Sequence, residues 1–316
     1  MTIETPDISF IIAAYNAEET LERAIDSALA QVGVTVEVIV VDDCSTDRTR
    51  DIAGAYTDPR VKLICQPQNG GPGRARNTGI AAATGRWVAT LDSDDAVKPD
   101  RSLSMLQKAA AFDAQIVVDN VDVVPLEGGA PKTMFDHKEL ERQREISLVD
   151  FISSNVIFNT TFNYGYMKPI FDRAFLARHD LAFDDMLRIG EDYILFASVL
   201  ASGARCAVDP NVGYVYYLRA GSISRVLKHQ HLDDMLEADR AFLSRFKLGP
   251  AEMQAQTRRT RSIIEARSFL TLVDDIKRKS VGSFLKTAMG NPGALKLFRM
   301  PIAVRMRRFA KAAGVN

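Results

Sequence analysis

Acidic side chains stand where apolar runs end. Asp92, Asp94 and Asp95 follow Arg86–Leu91 (RWVATL). Carboxylates this close repel one another unless a cation or an arginine sits between them. Hard ions such as Mg²⁺ or Mn²⁺ take oxygen ligands and are held by one or two carboxylates plus substrate phosphates. Asp-x-Asp at a strand end is therefore half of a metal–diphosphate site; the plainer reading is a solvated turn with Asp95 as a helix N-cap. Asp42 and Asp43 repeat the pattern after Val36–Val41 (VEVIVV). A carboxylate there suits the imide N–H of a uracil, and Tyr15, after Ile8–Ala14, offers a face for a base. The loop from Asn69 to Asn77 (NGGPGRARN) precedes a helix whose N-terminal N–H groups attract phosphate, with Arg74 and Arg76 as charged donors. It is not a dinucleotide fingerprint, because Arg76 occupies the place of the third glycine, and no Gly-Lys-Ser/Thr makes it a P-loop. Glu191-Asp192 opens another helix, either as first-turn caps or, if the fold brings them to the same rim, as a general base. His137, His179, His229 and His231 lack ligand spacing, and no serine has a nucleophile-elbow context.

These residues need a frame that gathers them. Ile8–Ala14, Val36–Val41, Val61–Cys65 and Arg86–Leu91 read as buried strands. Between them lie a helix with Leu21, Ile25, Ala28 and Leu29 on one face behind a capping-box start at Asn16, a second helix from Ser45 to about Tyr56, and a third from Arg74 to Ala83. This alternation predicts a parallel α/β sheet with helices on both faces and ligands beyond the carboxyl ends of the strands. Further on we expect a helix over Pro99–Phe112, extended chain over Gln115–Val124, a helix over Glu191–Leu200, a strand over Gly213–Leu218 and helices after His231. The α/β pattern stops near Arg225–Gln230, which suggests one unit over 1–228 and a helical C-terminal region over 229–316.

The ordered set Ile8–Asn16 (ISFIIAAYN), Val40–Asp47 (VVDDCSTD), Ala75–Gly79 (ARNTG), Leu91–Asp95 (LDSDD) and Gly190–Asp192 (GED) resembles the family 2 glycosyltransferases, which have the Rossmann-like GT-A fold. Lys168-Pro169-Ile170 and Tyr217–Ser224 are similar to the subgroup that builds bacterial exopolysaccharides, such as the succinoglycan glucosyltransferases. The resemblance implies an inverting transfer of a sugar, glucose first, from a UDP-sugar to a hydroxyl of a lipid-linked oligosaccharide. It implies Ala13 and Tyr15 at the nucleobase, Asp43 on the uracil imide with Asp42 in support, Arg76 near the nucleotide, and Arg219 helping the diphosphate. Asp92 would touch ribose or metal, Asp94 would hold Mg²⁺ or Mn²⁺, and Asp192 would be the base with Glu191 beside it. Ala14 stands where the family commonly has proline. Arg219–Gly221 lacks the histidine metal ligand of many relatives. Two alternatives stay open: a sugar-nucleotide pyrophosphorylase, against which the loop position after the third strand argues, and an inactive nucleotide-sugar-binding subunit.

The 316 residues hold 40 basic and 40 acidic side chains with 47% hydrophobic content, which excludes intrinsic disorder and a polyanion binder by net charge. Ten of the basic residues fall between Ile276 and Asn316, where no acidic residue occurs. In the tail after Pro301, Ile302, Met306 and Phe309 share a face ringed by cations. That reads either as a contact with an anionic membrane surface or as a solvated helix. Its few aromatics do not suggest a nucleic-acid partner. Cys44, Cys65 and Cys206 form no disulfide framework, and no run of about 18 apolar residues spans a membrane. The N-terminus lacks a signal-peptide pattern. The expected location is the cytoplasm, with the inner face of the plasma membrane as the place a lipid-linked acceptor would require.

Overall fold

The computed structural model describes residues 5–126, 128–158, 163–218 and 227–299. Its elements in chain order begin with β1 (Ile8–Ala14), α1 (Leu21–Leu29), β2 (Val36–Asp42), α2 (Thr49–Gly54), β3 (Val61–Cys65), α3 (Pro72–Ala82) and β4 (Trp87–Thr90). Then come β5 (Ala96–Val97), α4 (Arg101–Phe112), β6 (Ile116–Pro125), β7 (Lys132–Thr133), α5 (His137–Gln143), α6 (Leu148–Ser154), β8 (Ile170–Asp172) and α7 (Arg173–Arg178). The chain continues through α8 (Glu191–Ala201), β9 (Cys206–Leu218), α9 (His229–Arg245), α10 (Pro250–Lys277) and α11 (Val281–Gly290).

The sheet runs β3-β2-β1-β4-β8-β6-β9-β5, with β7 beside β6. Its first four strands are parallel, as their short, mostly apolar runs alternating with helices predict. Strand β8 then enters antiparallel between β4 and β6, and β5 lies antiparallel on β9, so the whole sheet is mixed. Alternate side chains of β1 serve two cores. Ile8, Phe10 and Ile12 meet α1 and α4 on one face, while Ile11 joins Ala75 of α3 and Phe196 of α8 on the other.

Three local expectations change. Asn16 does not cap α1, which begins at Leu21 behind Thr20. Asn16 instead turns the chain at φ +50° and accepts from the Thr46 N–H at 2.9 Å, while its own N–H donates to Ser45 Oγ at 3.0 Å. Ser45 is thereby occupied, and α2 starts later, at Thr49. These caps are diverted because two neighbouring strand ends must be tied together. Strand β9 also begins seven residues earlier than the expected Gly213. Pro210 hid it: proline interrupts a ladder, and here it sits in a bulge where the β6–β9 register slips at Asn120.

At the edge opposite the strand ends that carry the motifs, Glu37 joins four segments. It accepts from Ser9 Oγ at 2.6 Å, Lys62 Nζ at 2.7 Å, and the Thr84 and Gly85 N–H groups at 2.6 and 3.1 Å. Burial raises its pKa, but these donors outweigh burial and pull it from the ordinary 4.5 down to about 2. Glu37→Gln is expected to cost about 1–3 kcal/mol near neutral pH. Because the folded pKa is the lower one, the charge contributes fully above 4.5 and is lost as pH falls through about 2. Urea unfolding of both proteins across that window checks this; a gap that does not narrow would show that the charge is not its source.

The C-terminal helices pack against the half that carries the sheet. Phe242 of α9 and Ala255 of α10 enter the same core as α8. Tyr193 of α8 donates to Gln256 Oε1 at 3.1 Å, and the Arg259 guanidinium lies 3.5 Å from the Tyr193 ring centre. The tail from Pro301 onward lies outside the described residues.

Candidate active site

Strands β1, β2 and β4 end on one edge, and with the start of α8 they assemble a charged cluster there. Its hub is Arg76, on the first turns of α3 and only 6% exposed. One guanidinium nitrogen donates to Asp92 Oδ1 at 2.8 Å. The other donates to Glu191 Oε1 at 2.8 Å and lies 3.3 Å from Asp192 Oδ1. Lys168 completes the cluster, with Nζ 2.7 Å from Asp92 Oδ2 and 3.2 Å from Asp192 Oδ2. Two cations thus face three carboxylates drawn from segments about a hundred residues apart.

The electrostatics follow from burial and pairing. Burial disfavours charge on Arg76, but Asp192, Asp92 and Glu191 together outweigh it and raise its pKa well above the usual value. The same balance raises Lys168, through Asp192 and Asp92. Burial would also raise Asp92, but Lys168 and Arg76 hold it below the ordinary carboxylate range. Glu191 goes the other way, pushed up by burial and by the charge of Asp192 against the pull of Arg76. Glu191 is buried, whereas the Asp192 side chain is 31% exposed. Asp192 faces a small crevice lined by Thr90, Gly165, Met167, Phe171, Phe183 and Phe196. Solvent thus reaches the Asp192 carboxylate, while that of Glu191 is covered.

Asp42 and Asp43 are both buried. Asp42 Oδ1 accepts from the Ser45 N–H at 3.2 Å, and Oδ2 accepts from Arg50. Asp43 accepts from the N–H groups of Gly70 and Gly71, each at 2.8 Å, so it seats the glycine-rich loop. Each Asp43 oxygen keeps a second lone pair for a ligand, whereas Asp42 Oδ2 already accepts from two nitrogens of Arg50. Tyr15 is 51% exposed beside them, and Ala13 is partly buried under the rim. Gly71 has φ +87°, and a side chain there would strike the Arg188 guanidinium. The first turn of α3 is covered by the 183–185 segment: Asn77 exchanges hydrogen bonds of 2.9 Å with the Phe183 backbone in both directions. The loop therefore positions Asp43 and Arg76 more than it offers open N–H groups to phosphate.

Three participants are not legible in the sequence. Lys168 stands in the Lys168-Pro169-Ile170 match, but that resemblance assigns it no role, and nothing around it signals charge pairing. Arg188 reaches Asn69 Oδ1 at 3.3 Å across the loop. Tyr214 of β9 donates to Asp95 Oδ2 at 2.8 Å, and Asp95 also accepts from the Tyr217 N–H at 3.0 Å. Burial, with the charges of Asp92 and Asp94, raises the Asp95 pKa well above normal. Asp95 thus anchors the acidic turn on β9 instead of capping a helix. Arg219 lies outside the described residues.

A divalent ion is implied by the Asp-x-Asp pattern. Both oxygens of Asp92 already face Arg76 and Lys168, and among the described residues no three His, Cys, Asp or Glu side chains converge on one point. The described residues alone offer no full cage. One carboxylate, Asp94, with phosphate oxygens of a substrate is nevertheless a donor set that Mg²⁺ accepts.

Comparison with known proteins agrees with this layout. The model of Glycosyl transferase family 2 matches residues 9–175. Succinoglycan biosynthesis protein ExoO of Rhizobium meliloti (strain 1021) is 55% identical over 97% of this chain and 88% of its own length. Succinoglycan biosynthesis protein ExoU of the same strain is 34% identical over 93% and 86%. The crystal structure of S. aureus TarS 1-349 in complex with UDP-GlcNAc superposes with a TM-score of 0.66 at 20% identity, over 89% of this chain and 90% of that one, which shows a shared GT-A-like fold. With more than half of its length matched by the family model and nearly all of it aligned to a majority-identical relative, the chain belongs to glycosyltransferase family 2.

Proposed function

We propose that this enzyme is an inverting, metal-assisted transferase that moves glucose from UDP-glucose to a hydroxyl of a growing lipid-linked oligosaccharide in bacterial exopolysaccharide assembly. The observation that carries it is the meeting of Asp92 and Asp192 around Arg76 and Lys168 at the carboxyl edge of the sheet. The names of the two succinoglycan biosynthesis relatives support the exopolysaccharide setting. The UDP-GlcNAc complex of TarS supports a UDP-sugar donor.

In this reading Asp192 takes the proton of the acceptor hydroxyl, which by itself ionises far above neutral pH. Arg76 and Lys168 fix the orientation of that carboxylate. Asp43 and Tyr15, with Ala13 beneath, receive the uracil, Asp42 shapes their loop, and Asp92 meets the ribose. Asp94 would hold Mg²⁺ or Mn²⁺, which when bound neutralises charge on the nucleoside diphosphate leaving group. Arg219 is assigned to the diphosphate on resemblance. Residues 1–228 are assigned to the transferase unit and 229–316 to a C-terminal region whose described helices α9 and α10 buttress α8.

A panel of UDP-sugars with Mg²⁺ or Mn²⁺, with and without a lipid-diphosphate sugar, tests the reading through UDP release. UDP-glucose is expected to be consumed when the acceptor is present. Binding without turnover on any acceptor would point to an inactive nucleotide-sugar-binding subunit instead. Asp94→Ala is expected to abolish the metal-dependent part of donor affinity in calorimetry; unchanged affinity with Mn²⁺ contradicts the metal assignment.

A further inference from the structure

Helix α11 has two apolar stripes, and only one is used by the fold. Phe284 and Ala288 pack on Phe269, Leu272 and Ala294. Val281, Leu285 and Met289, each four residues apart, are 71, 54 and 81% exposed. At about 100° per residue, such a spacing turns roughly 40° per step, so the three side chains form one line along the helix. Ile276 before the helix and Leu295 after it are also exposed. This is a large unpartnered apolar surface for a water-soluble helix.

The charges on this stretch of chain are basic, although Asp274 of α10 pairs with Lys277 and Glu265 of α10 lies beside Gly293. Lys277, Arg278 and Lys279 precede α11, Lys286 lies within it, and Lys296 and Arg299 come after it. No acidic residue occurs from Ile276 to the end of the chain, whereas the first 275 residues carry 30 basic against 40 acidic side chains. A second copy of this chain is a poor occupant: a two-fold contact sets the same patch against itself, cations against cations. Among the described residues no helix is long and apolar enough to cross a membrane.

We infer that α11 lies in the plane of an anionic lipid surface, with Val281, Leu285 and Met289 entering the acyl boundary and the flanking lysines and arginines among the headgroups. Such a surface answers both halves of the patch at once, an apolar layer beneath a negative one. It would also hold the transferase beside a lipid-linked acceptor, but the docking itself needs no sugar and stands apart from the proposed chemistry.

The test is co-sedimentation of the full chain with vesicles of phosphatidylcholine alone or mixed with phosphatidylglycerol. The native protein is expected to partition onto the mixed vesicles and to be released by salt. The triple variant Val281→Ser, Leu285→Ser, Met289→Ser is expected to bind about tenfold more weakly or worse. Its far-ultraviolet circular dichroism and melting should be unchanged, since none of the three is buried. A chain ending at residue 299 should retain most of the binding. Equal binding by native and triple variant overturns the inference. So does loss of binding by the shortened chain alone, which would move the contact to the tail. A native dimer that the triple variant breaks would assign the patch to self-association and overturn it as well.

Discussion

Asp192→Asn lowers turnover by roughly 10²–10⁴-fold, about 3–5 kcal/mol of transition-state stabilisation, and leaves donor affinity within about threefold. The amide keeps the shape of the carboxylate but cannot take a proton. Proton transfer is the role that this position suits. Asp192 is the exposed member of the cluster, opens onto the crevice between β4 and α8, and stands at the first turn of a helix with no hydrogen-bond cap from the residue before it. Its neighbours Arg76 and Lys168 touch its two oxygens at 3.3 and 3.2 Å, which holds the carboxylate in one orientation before the acceptor arrives. Uracil recognition is assigned to the β1 and β2 ends, so donor binding should not depend on it. UDP release at saturating acceptor measures the first quantity and calorimetry with the UDP-sugar the second. A variant that transfers sugar at the native rate would remove Asp192 from the role of base. A variant that loses donor binding in proportion would make it a binding group.

The second large effect belongs to Arg76. Arg76→Met deletes the one guanidinium that Asp92, Glu191 and Asp192 share and leaves carboxylates facing one another with Lys168 alone between two of them. Breaking a buried charge network from one side costs about 3–5 kcal/mol, because the remaining charges stay desolvated and unpaired. We therefore expect both a lower urea midpoint and near-complete loss of transfer. Arg76→Lys restores charge but not the fork that reaches Asp92 and Glu191 with different nitrogens, so it should recover part of the stability and little of the activity. Combining Arg76→Met with Glu191→Gln removes one buried charge from each side. That double variant should regain stability relative to Arg76→Met while staying inactive. If Arg76→Met unfolds at the native urea concentration, the carboxylates are not relying on it. If the double variant is no more stable than Arg76→Met, Glu191 is not the charge that suffers most.

The two predictions differ in how much of them was legible along the chain. A helix start at Glu191-Asp192 is legible because a glycine followed by two acids before an apolar helical run is a local pattern, while the role of base for Asp192 comes only from the resemblance. The αL conformation of Gly190 at φ +95° and the start of α8 at Glu191 match it closely. Arg76 could be suspected from its loop, but its three partners could not. Lys168 belongs to a matched triplet, but nothing along the chain pairs it with the carboxylates. Its charge matters only because β8 enters the sheet next to β4 and brings the residues just before it to the acidic turn.

Local physics also set the limits of that reading. The four parallel strands are visible because each is a short, mostly apolar, β-rich run, and aspartates mark the ends of β2 and of the run through β4. Local capping rules misplace Asn16 and Ser45 for the opposite reason. Their side chains satisfy either a helix start or a neighbouring strand end, and the choice is made by a partner about thirty residues away. The start of β9 was hidden by Pro210, whose place in a bulge depends on a partner strand about ninety residues earlier.

From its residue types and spacing alone, then, this chain determines a set of rim carboxylates, the strands that carry them and the helix that presents Asp192. Only the tertiary structure decides which cation meets which carboxylate, that Glu191 is buried while Asp192 faces solvent, and that one stripe of α11 is left uncovered. The reason is that apolar periodicity is a property of neighbours in the chain, whereas charge pairing and burial are properties of neighbours in space.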